Sequence, residues 1–387
     1  MPERNPMKIA FVYDVIYPYV KGGVEKRVWE TAVRLATRGH EIHIFGMKYW
    51  EGDDTLVRDD VVLHGVCPAR PLYEDGKRTV GEALHFSIPL FFALLKERFD
   101  LIDCQQFPYL PALLVKPACV LKKTPLVITW HEIWGDYWYS YMGKTGMFGK
   151  GIERAVSRLT PYTIAVSGTT ALQLGQIRPR LDIAVIPNGV DLWEIERVSP
   201  ADDHADLLFA GRLIREKHVD LLVDSFRILL NENSKFTLLI IGNGPEEKSL
   251  HTRVQESGLE GSIRIRTFYP RHEDLVGQMK ASKVFVIPST REGFGITALE
   301  ALACGLPVVT VDQPANAVRD LITEKTGFMS TLSPEDLAHV LRKALRHHAE
   351  MKQDCIAAAA RYDWDRIAAD LESYYYSVLQ AVRTDTK

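Results

Sequence analysis

The chain has 387 residues, of which 46% are hydrophobic and 25% charged, with 47 Lys and Arg against 50 Asp and Glu and a net charge of −3. That length fits two or three domains of ordinary size, and the composition fits a globular protein with an ample core. A net charge this close to zero supplies no global basic field, so nucleic acid is not an expected partner. Up to Pro187 the bases lead the acids 23 to 20, and beyond it the acids lead 30 to 24. A mildly basic first half suits an anionic lipid surface or a phosphorylated acceptor, although ordinary scatter of surface charge is the simpler explanation. The five cysteines (Cys67, Cys104, Cys119, Cys304 and Cys355) show no metal spacing and are odd in number, as in a protein with reduced thiols. The first residues, Met-Pro-Glu-Arg-Asn-Pro, do not read as a signal peptide. The apolar run Ile88 to Leu95 is too short to span a bilayer and stops at Lys96. A cytoplasmic enzyme is therefore expected.

In chain order, Lys8–Tyr13 reads as a buried strand, Val24–Thr37 as a helix ended by Arg38-Gly39, and Glu41–Phe45 as the next strand. Leu101–Asp103, Pro125–Thr129 and Tyr162–Val166 continue as short apolar strands with helical stretches between them. The turn-rich Asn188-Gly-Val-Asp191 makes a natural linker. The pattern then restarts with strands at Asp206–Ala210, Phe236–Ile241, Ile263–Arg266, Val284–Ile287 and Pro307–Val311, and a helix at Asp220–Leu230. Apolar strands alternating with helices imply parallel, doubly wound sheets. The expectation is an α/β chain of two Rossmann-like domains: residues 1–187, joined by a final helix at 364–387, and residues 188–363.

The stretch Glu292-Gly-Phe-Gly-Ile-Thr-Ala-Leu-Glu300 carries the most chemistry. It reads as a glycine-rich turn between a strand and a helix that begins near Gly295. The turn aims free N–H groups of the first helical turn at whatever lies above, and such an end favours an anion. Eight helical residues would cover about 12 Å, the scale of a nucleotide diphosphate sugar. Lys21-Gly22-Gly23-Val24 joins the first strand to the first helix, where paired glycines allow close backbone approach, although such turns are often structural. It is not a dinucleotide fingerprint. The second strand also leads into Gly46-Met47-Lys48 rather than the acid a nicotinamide ribose wants, which weakens a dehydrogenase reading. Gly211-Arg212-Leu213 and Glu216-Lys217 place two cations after a strand, able to hold a diphosphate or simply to form a solvated Arg–Glu pair. His131 sits at a strand end in Thr-Trp-His-Glu and lacks the second histidine of a zinc motif. Trp134, Tyr137, Trp138, Tyr139 and Tyr141 form an aromatic cluster that suits core packing or an acceptor sugar or lipid. Asp363-Trp-Asp365 reads as a helix cap rather than a metal site.

With both glutamates, Val-Ile-Pro-Ser before them and Ala-Cys-Gly-Leu-Pro-Val-Val after, the chain resembles retaining glycosyltransferase family 4, whose fold is called GT-B and whose Glu-x7-Glu signature falls on Glu292 and Glu300. The resemblance covers nearly the whole chain. It implies two Rossmann-like domains facing across a cleft, with the last helix, from Trp364, crossing back onto the first. It implies a retaining, metal-independent hexosyltransferase that needs no cofactor and uses a UDP- or GDP-sugar as donor. The resemblance implies that Glu292 orients the sugar and Glu300 holds the ribose. Arg212 and Lys217 match the family's phosphate ligands, although His218 replaces the usual glycine after Lys217. Gly22, Gly23, Gly244, Gly293, Phe294, Gly295, Ile296 and Thr297 match its donor-binding turns, and His131 its histidine near the reacting carbon. Thr267 stands where glycine is frequent near the base, so the base cannot be read there. The acceptor, whether glycan, lipid-linked or small-molecule, would meet loops at 48–90 and 134–150, with peripheral membrane contact through the first domain. A nucleotide-sugar epimerase on the same fold and a non-catalytic binding subunit are the alternatives.

Overall fold

The computed structural model describes residues 5–71, 73–74, 77–78, 80–231 and 235–385. They fall into two compact units, Met1–Asn188 with Trp364–Lys387, and Gly189–Asp363.

The first unit carries strands β1 (Lys8–Val12), β2 (Glu41–Lys48), β3 (Thr55–Arg58) and β4 (Val61–Pro68), then the short pair β5 (Tyr73–Glu74) and β6 (Lys77–Arg78). β7 (Leu101–Gln105), β8 (Leu126–Trp130), β9 (Tyr162–Ala165) and β10 (Ile183–Val185) follow. Its helices are α1 (Gly23–Thr37), α2 (Val80–Lys96), α3 (Tyr109–Lys122), α4 (Tyr137–Met142), α5 (Gly146–Val156) and α6 (Gly168–Ile177). The sheet order is β10-β9-β8-β7-β1-β2-β4-β3. Every neighbouring pair is parallel except β3 with β4, which is antiparallel. The parallel pattern expected from sequence thus fails at one edge, within the 48–90 stretch read as loop; residues 72, 75, 76 and 79 of that stretch lie outside the described residues. The cause is local. Asp59 and Asp60 both take left-handed φ, 48° and 60°. A two-residue turn of that kind matches strand twist and closes a hairpin.

The second unit has α7 (Leu192–Arg197), β11 (Ala205–Ala210), α8 (Val219–Leu230), β12 (Leu238–Ile241), α9 (Glu247–Glu256), β13 (Ile263–Arg266), α10 (His272–Lys280) and β14 (Ser282–Ile287). β15 (Arg291–Glu292), α11 (Ile296–Ala303), β16 (Val308–Val311), β17 (Ala315–Asn316), β18 (Gly327–Ser330) and α12 (Pro334–Ala359) complete it. Its main sheet is wholly parallel, in the order β13-β12-β11-β14-β16-β18. The strands read as continuous apolar runs because helices cover both faces, and β12 and β14 are buried along Leu238–Ile241 and Val284–Ile287.

The last helix, α13 (Trp364–Asp385), belongs to the first unit. Trp364, Ile367, Leu371, Tyr375 and Val378 recur at helical spacing and are all buried there. Arg34 Nε donates to Asp365 Oδ1 at 2.8 Å, and Glu372 accepts from Arg38 and meets His40, each at 3.0 Å. Asp365 is thus an ion-pair partner of α1. All five cysteines are free and buried. Burial pushes the Cys67 thiol up to about 11 and those of Cys119, Cys304 and Cys355 to about 12, so these thiols stay protonated. No helix among the described residues is long and apolar enough to cross a membrane.

Candidate active site

In the second unit the Glu292–Glu300 segment runs from strand to turn to helix. Glu292 ends β15, which pairs with β17 through Glu292↔Asn316. Asn316 is itself buried, and its Nδ2 donates to Thr310 Oγ1 and Val311 O, both at 2.8 Å. The carboxylate therefore stands on a rigid strand end. The chain then turns at Gly295, whose φ of +90° is left-handed and whose added Cβ would lie 2.4 Å from Val318 Cγ2. Only glycine fits there. α11 starts at the next residue, so the N–H groups of Ile296 and Thr297 lie in its first turn, before intrahelical acceptors exist. Gly293 precedes Phe294, which is buried edge-on against Tyr362 with centroids 5.9 Å apart.

Lys217 reaches this segment. It closes a short 3-10 turn, Arg215–Lys217, after β11. Thr290 N donates to Glu216 O at 2.9 Å, and His218 Nε2 meets Thr290 Oγ1 at 3.2 Å. These contacts clip the turn to the loop before Glu292, and Lys217 Nζ donates to Glu292 Oε1. His218 adopts φ 47° and ψ 45°, so the histidine takes the left-handed conformation that glycine favours rather than altering the turn. Arg212 lies five residues earlier, is exposed, and forms no ion pair among the described residues. Gly244 is packed backbone to backbone against this loop. Its φ is +154°, and an added Cβ would lie 2.3 Å from Leu213 O. Leu213 N donates to Asn243 O at 2.8 Å, and Glu246 N to Leu213 O at 3.0 Å.

Glu300 sits one turn into α11 and is 3% exposed. Its Oε1 lies 2.9 Å from His272 Nε2, and His272 Nδ1 lies 3.3 Å from Glu194 Oε1. Glu194 also borders a pocket of about 840 Å³ lined by Trp193, Arg266, Tyr269 and Gln278 among others. None of the residues singled out in the sequence lines that pocket, so its size is a poorer guide to the chemistry than the charged cluster.

The remaining candidates stand in the first unit. Gly22 caps α1 in extended conformation, and an added Cβ would come within 2.6 Å of the buried Glu25 carboxylate. Gly23 opens the helix. His131 follows β8 and is buried. Its Nε2 lies 2.8 Å from Gln105 Oε1, and its backbone N–H donates to Gln106 Oε1 at 2.8 Å. Burial, with the nearby Arg27 guanidinium adding to it, holds the imidazole well below its ordinary value, so it is neutral at pH 7. The acceptor Oε1 of Gln105 calls for the proton on Nε2 of His131. Gln105 Nε2 in turn donates to Asp103, which also accepts from Thr129 and Tyr375 at 2.8 and 2.6 Å. The aromatic cluster is mainly packing. Trp134 stacks on Phe107 at 5.2 Å and lies 4.6 Å from the buried Trp138, while Tyr139 is exposed. An added Cβ on Gly149 would lie 2.2 Å from the Trp138 ring.

Residues 21–194 match the family described as Glycosyltransferase Family 4, and residues 192–362 match Glycosyl transferases group 1. The chain belongs to glycosyltransferase family 4. Its fold is GT-B: the structure is similar, at TM-score 0.80 and 20% identity, to a sucrose-phosphate synthase from Thermosynechococcus elongatus, covering 97% of this chain and 100% of that one. The chain is 30% identical to a GDP-mannose-dependent alpha-(1-6)-phosphatidylinositol dimannoside mannosyltransferase of Mycobacterium tuberculosis, over 43% of this chain and 42% of that protein. It is also 25% identical to an alpha-monoglucosyldiacylglycerol synthase of Streptococcus pneumoniae, over 91% of this chain and 81% of that protein.

In this family-4 glycosyltransferase the structure brings Glu292, Lys217 and the α11 start together, and adds a residue the sequence did not single out. His272 opens α10 just past β13, where only the run Tyr-Pro-Arg-His before a helix hinted at a turn. Its partner Glu300 is 28 residues away, and no local pattern reports such a contact. Glu153 was likewise missed. It is fully buried, and its carboxylate accepts from Tyr109 OH at 2.7 Å, Trp134 N at 2.8 Å and Gly135 N at 2.9 Å.

Proposed function

We propose that this glycosyltransferase moves a hexose from a UDP- or GDP-sugar to an acceptor hydroxyl with retention of anomeric configuration, without metal or cofactor. The observation that carries the proposal is the Lys217–Glu292 pair beside the N-terminal turn of α11, with Glu300 held one turn deeper by His272. Transfer breaks the bond from the sugar's anomeric carbon to the diphosphate and forms one to the acceptor oxygen. The acceptor's proton goes to the departing phosphate on the same face. Negative charge grows on that phosphate, and fixed N–H groups with Arg212 and Lys217 are suited to stabilise it. Glu292 would accept hydrogen bonds from sugar hydroxyls, and Glu300 from the ribose. Gly22, Gly23, Gly244, Gly293, Phe294 and Gly295 would let the backbone approach the donor, with Ile296 and Thr297 supplying N–H groups. His131, neutral and oriented by Gln105, would bond a sugar hydroxyl or the leaving phosphate. No second catalytic carboxylate is needed, unlike the paired acids of glycoside hydrolases.

A lipid-linked acceptor at the membrane surface fits the first unit. Leu84, Ile88 and Phe92 recur every fourth residue on α2 and are 46%, 51% and 60% exposed. One apolar stripe on an otherwise packed helix suits shallow insertion among lipid headgroups. The two relatives also carry lipids in their names, phosphatidylinositol dimannoside in one and monoglucosyldiacylglycerol in the other. A cytoplasmic location fits five unpaired thiols. The decisive experiment is thermal shift against UDP-, GDP- and ADP-sugars, then product analysis by NMR with the stabilising donor. A product of inverted configuration, or isomerised donor in the absence of acceptor, would overturn the proposal.

A further inference from the structure

We propose that His43, His64 and Glu97 form a site for a zinc-class divalent cation, with a structural role at the amino end of the first unit's sheet. The three side chains place one ligand atom each within 4.8 Å of one another. His43 lies on β2, His64 on β4, and Glu97 just past α2. Residue 64 is registered opposite Phe45 on the adjacent strand, so His43 and His64 are diagonal neighbours on one face. Their rings lie nearly parallel, with centroids 5.0 Å apart. Phe45 stacks on His64 at 4.3 Å, and Phe99 meets His43 edge-on at 5.2 Å. These aromatic rings hold both imidazoles on one side.

The atoms that face each other are the right ones. His43 Nδ1 and His64 Nε2 lie 2.7 Å apart. Two nitrogens on a tetrahedral ion with bonds of ~2.0–2.1 Å lie about 3.3 Å apart, so the ion enters once the two rings part slightly and tilt their facing nitrogens toward it. His43 Nε2 lies 3.0 Å from Glu41 Oε1. A carboxylate behind a histidine fixes the proton on the far nitrogen and leaves the near one, Nδ1, with its lone pair free for a metal. In the unloaded pair His64 Nε2–H donates to that lone pair. On loading, the His64 proton moves to its Nδ1, and Nε2 becomes the second ligand. Glu97 supplies an oxygen, and its 39% side-chain exposure leaves room for water in a fourth position. Two imidazoles and one carboxylate suit Zn²⁺, Co²⁺ or Ni²⁺ rather than Mg²⁺ or Ca²⁺.

One cation already competes. Lys8 Nζ pairs with Glu41 at 2.7 Å and with Glu97 at 2.8 Å. A carboxylate can serve an ammonium with one oxygen and a metal with the other, so loading weakens the Lys8 contact without unseating Glu41. The site also stands apart from the candidate chemistry in its own unit. Glu41 and Lys8 open their strands, whereas His131 follows the last residue of β8. Ligand chemistry in doubly wound sheets gathers at the carboxyl ends. The cation would therefore brace β2, β4 and the end of α2.

The test uses the whole chain, stripped with a chelator and titrated with Zn²⁺ against a chromogenic competitor, and separately with Co²⁺. Wild type is expected to bind one equivalent, to give the intense visible bands of four-coordinate Co²⁺, and to melt at higher temperature when loaded. His64→Gln and Glu97→Gln, checked by circular dichroism, should each lose at least tenfold in affinity. Glu41→Gln should lose roughly 10–100-fold through the ring it orients. Lys8→Met should bind Zn²⁺ more tightly, an effect that loss of an ordinary salt bridge would not produce. If His64→Gln does not fold, Glu97→Gln and Lys8→Met decide. Equal Zn²⁺ affinity in wild type and the ligand variants, or only the weak bands of six-coordinate Co²⁺, would overturn the proposal.

Discussion

Lys217 and Glu292, 75 residues apart, form one ion pair in which both side chains are largely buried, 14% and 12% exposed. The pair joins two proposed roles, phosphate ligand and sugar ligand, at a single point. Removing either partner leaves the other charge without its counterpart in a partly dry place. Lys217→Met and Glu292→Gln are each expected to lower turnover by about 10²–10³, the usual cost of one preorganised electrostatic contact. Because the two act as a unit, the double variant should fall far short of the product of the single losses. Initial rates with saturating donor check this. Turnover within severalfold of wild type in both single variants would remove the proposed mechanism.

His131 offers a pH test whose sign is fixed. Burial keeps its folded value well below 6.5, so below that pH the unfolded chain binds a proton the folded chain refuses. The stability its neutral form permits is complete above pH 6.5 and is lost progressively as the pH falls. His131→Gln keeps a polar partner for Gln105 but cannot titrate. Urea midpoints of wild type and variant should therefore run parallel above pH 7 and diverge below 6.5, with wild type falling faster. Parallel curves down to pH 5 would show that the ring is not buried neutral.

The parallel sheets were legible because their strands are continuous apolar runs flanked by helical spacing, and β13 at Ile263–Arg266 matches its sequence reading end to end. The β3–β4 hairpin was not, because the Asp59-Asp60 turn lacks the glycine that usually marks such a reversal. The α11 turn was legible from Gly295, whose position next to Val318 excludes any side chain. Contacts across long separations were not. The clip from His218 to Thr290, the hold of His272 on Glu300 and the burial of Glu153 each depend on which loops the sheet order brings together. Local pattern carries elements and turns, whereas tertiary register decides which charges meet.

Gly295 tests the turn. Gly295→Ala adds a methyl 2.4 Å from Val318 Cγ2 at a φ of +90°. Backbone strain and overpacking each cost about 1–3 kcal/mol, so the variant should lose about 2–6 kcal/mol. Gly81→Ala in α2, exposed and with nothing within 4 Å of the new Cβ, serves as the control. It should stabilise by about 0.4–1 kcal/mol, because alanine restricts the unfolded chain. Chemical denaturation of both variants reads the contrast. Equal midpoints would mean that the α11 entry tolerates a side chain.

His272 is expected to act on the donor through Glu300. Its ring lies 2.9 Å from a carboxylate that is 4% exposed, with Glu194 behind it at 3.3 Å. That arrangement fixes the rotamer with which Glu300 would meet the ribose. A hydrogen bond to a charged group contributes about 1.5–3 kcal/mol, which converts to roughly tenfold or more in affinity. His272→Ala should therefore raise the donor KM about tenfold while kcat changes much less, since the ribose is bound equally in ground and transition states. His272→Gln, which can still donate to Glu300, should recover part of the loss. A residue needed only for packing of α10 would lower the melting temperature in both variants and leave KM where it was. Calorimetry with UDP and GDP separates the two outcomes, because it reports nucleotide affinity without turnover.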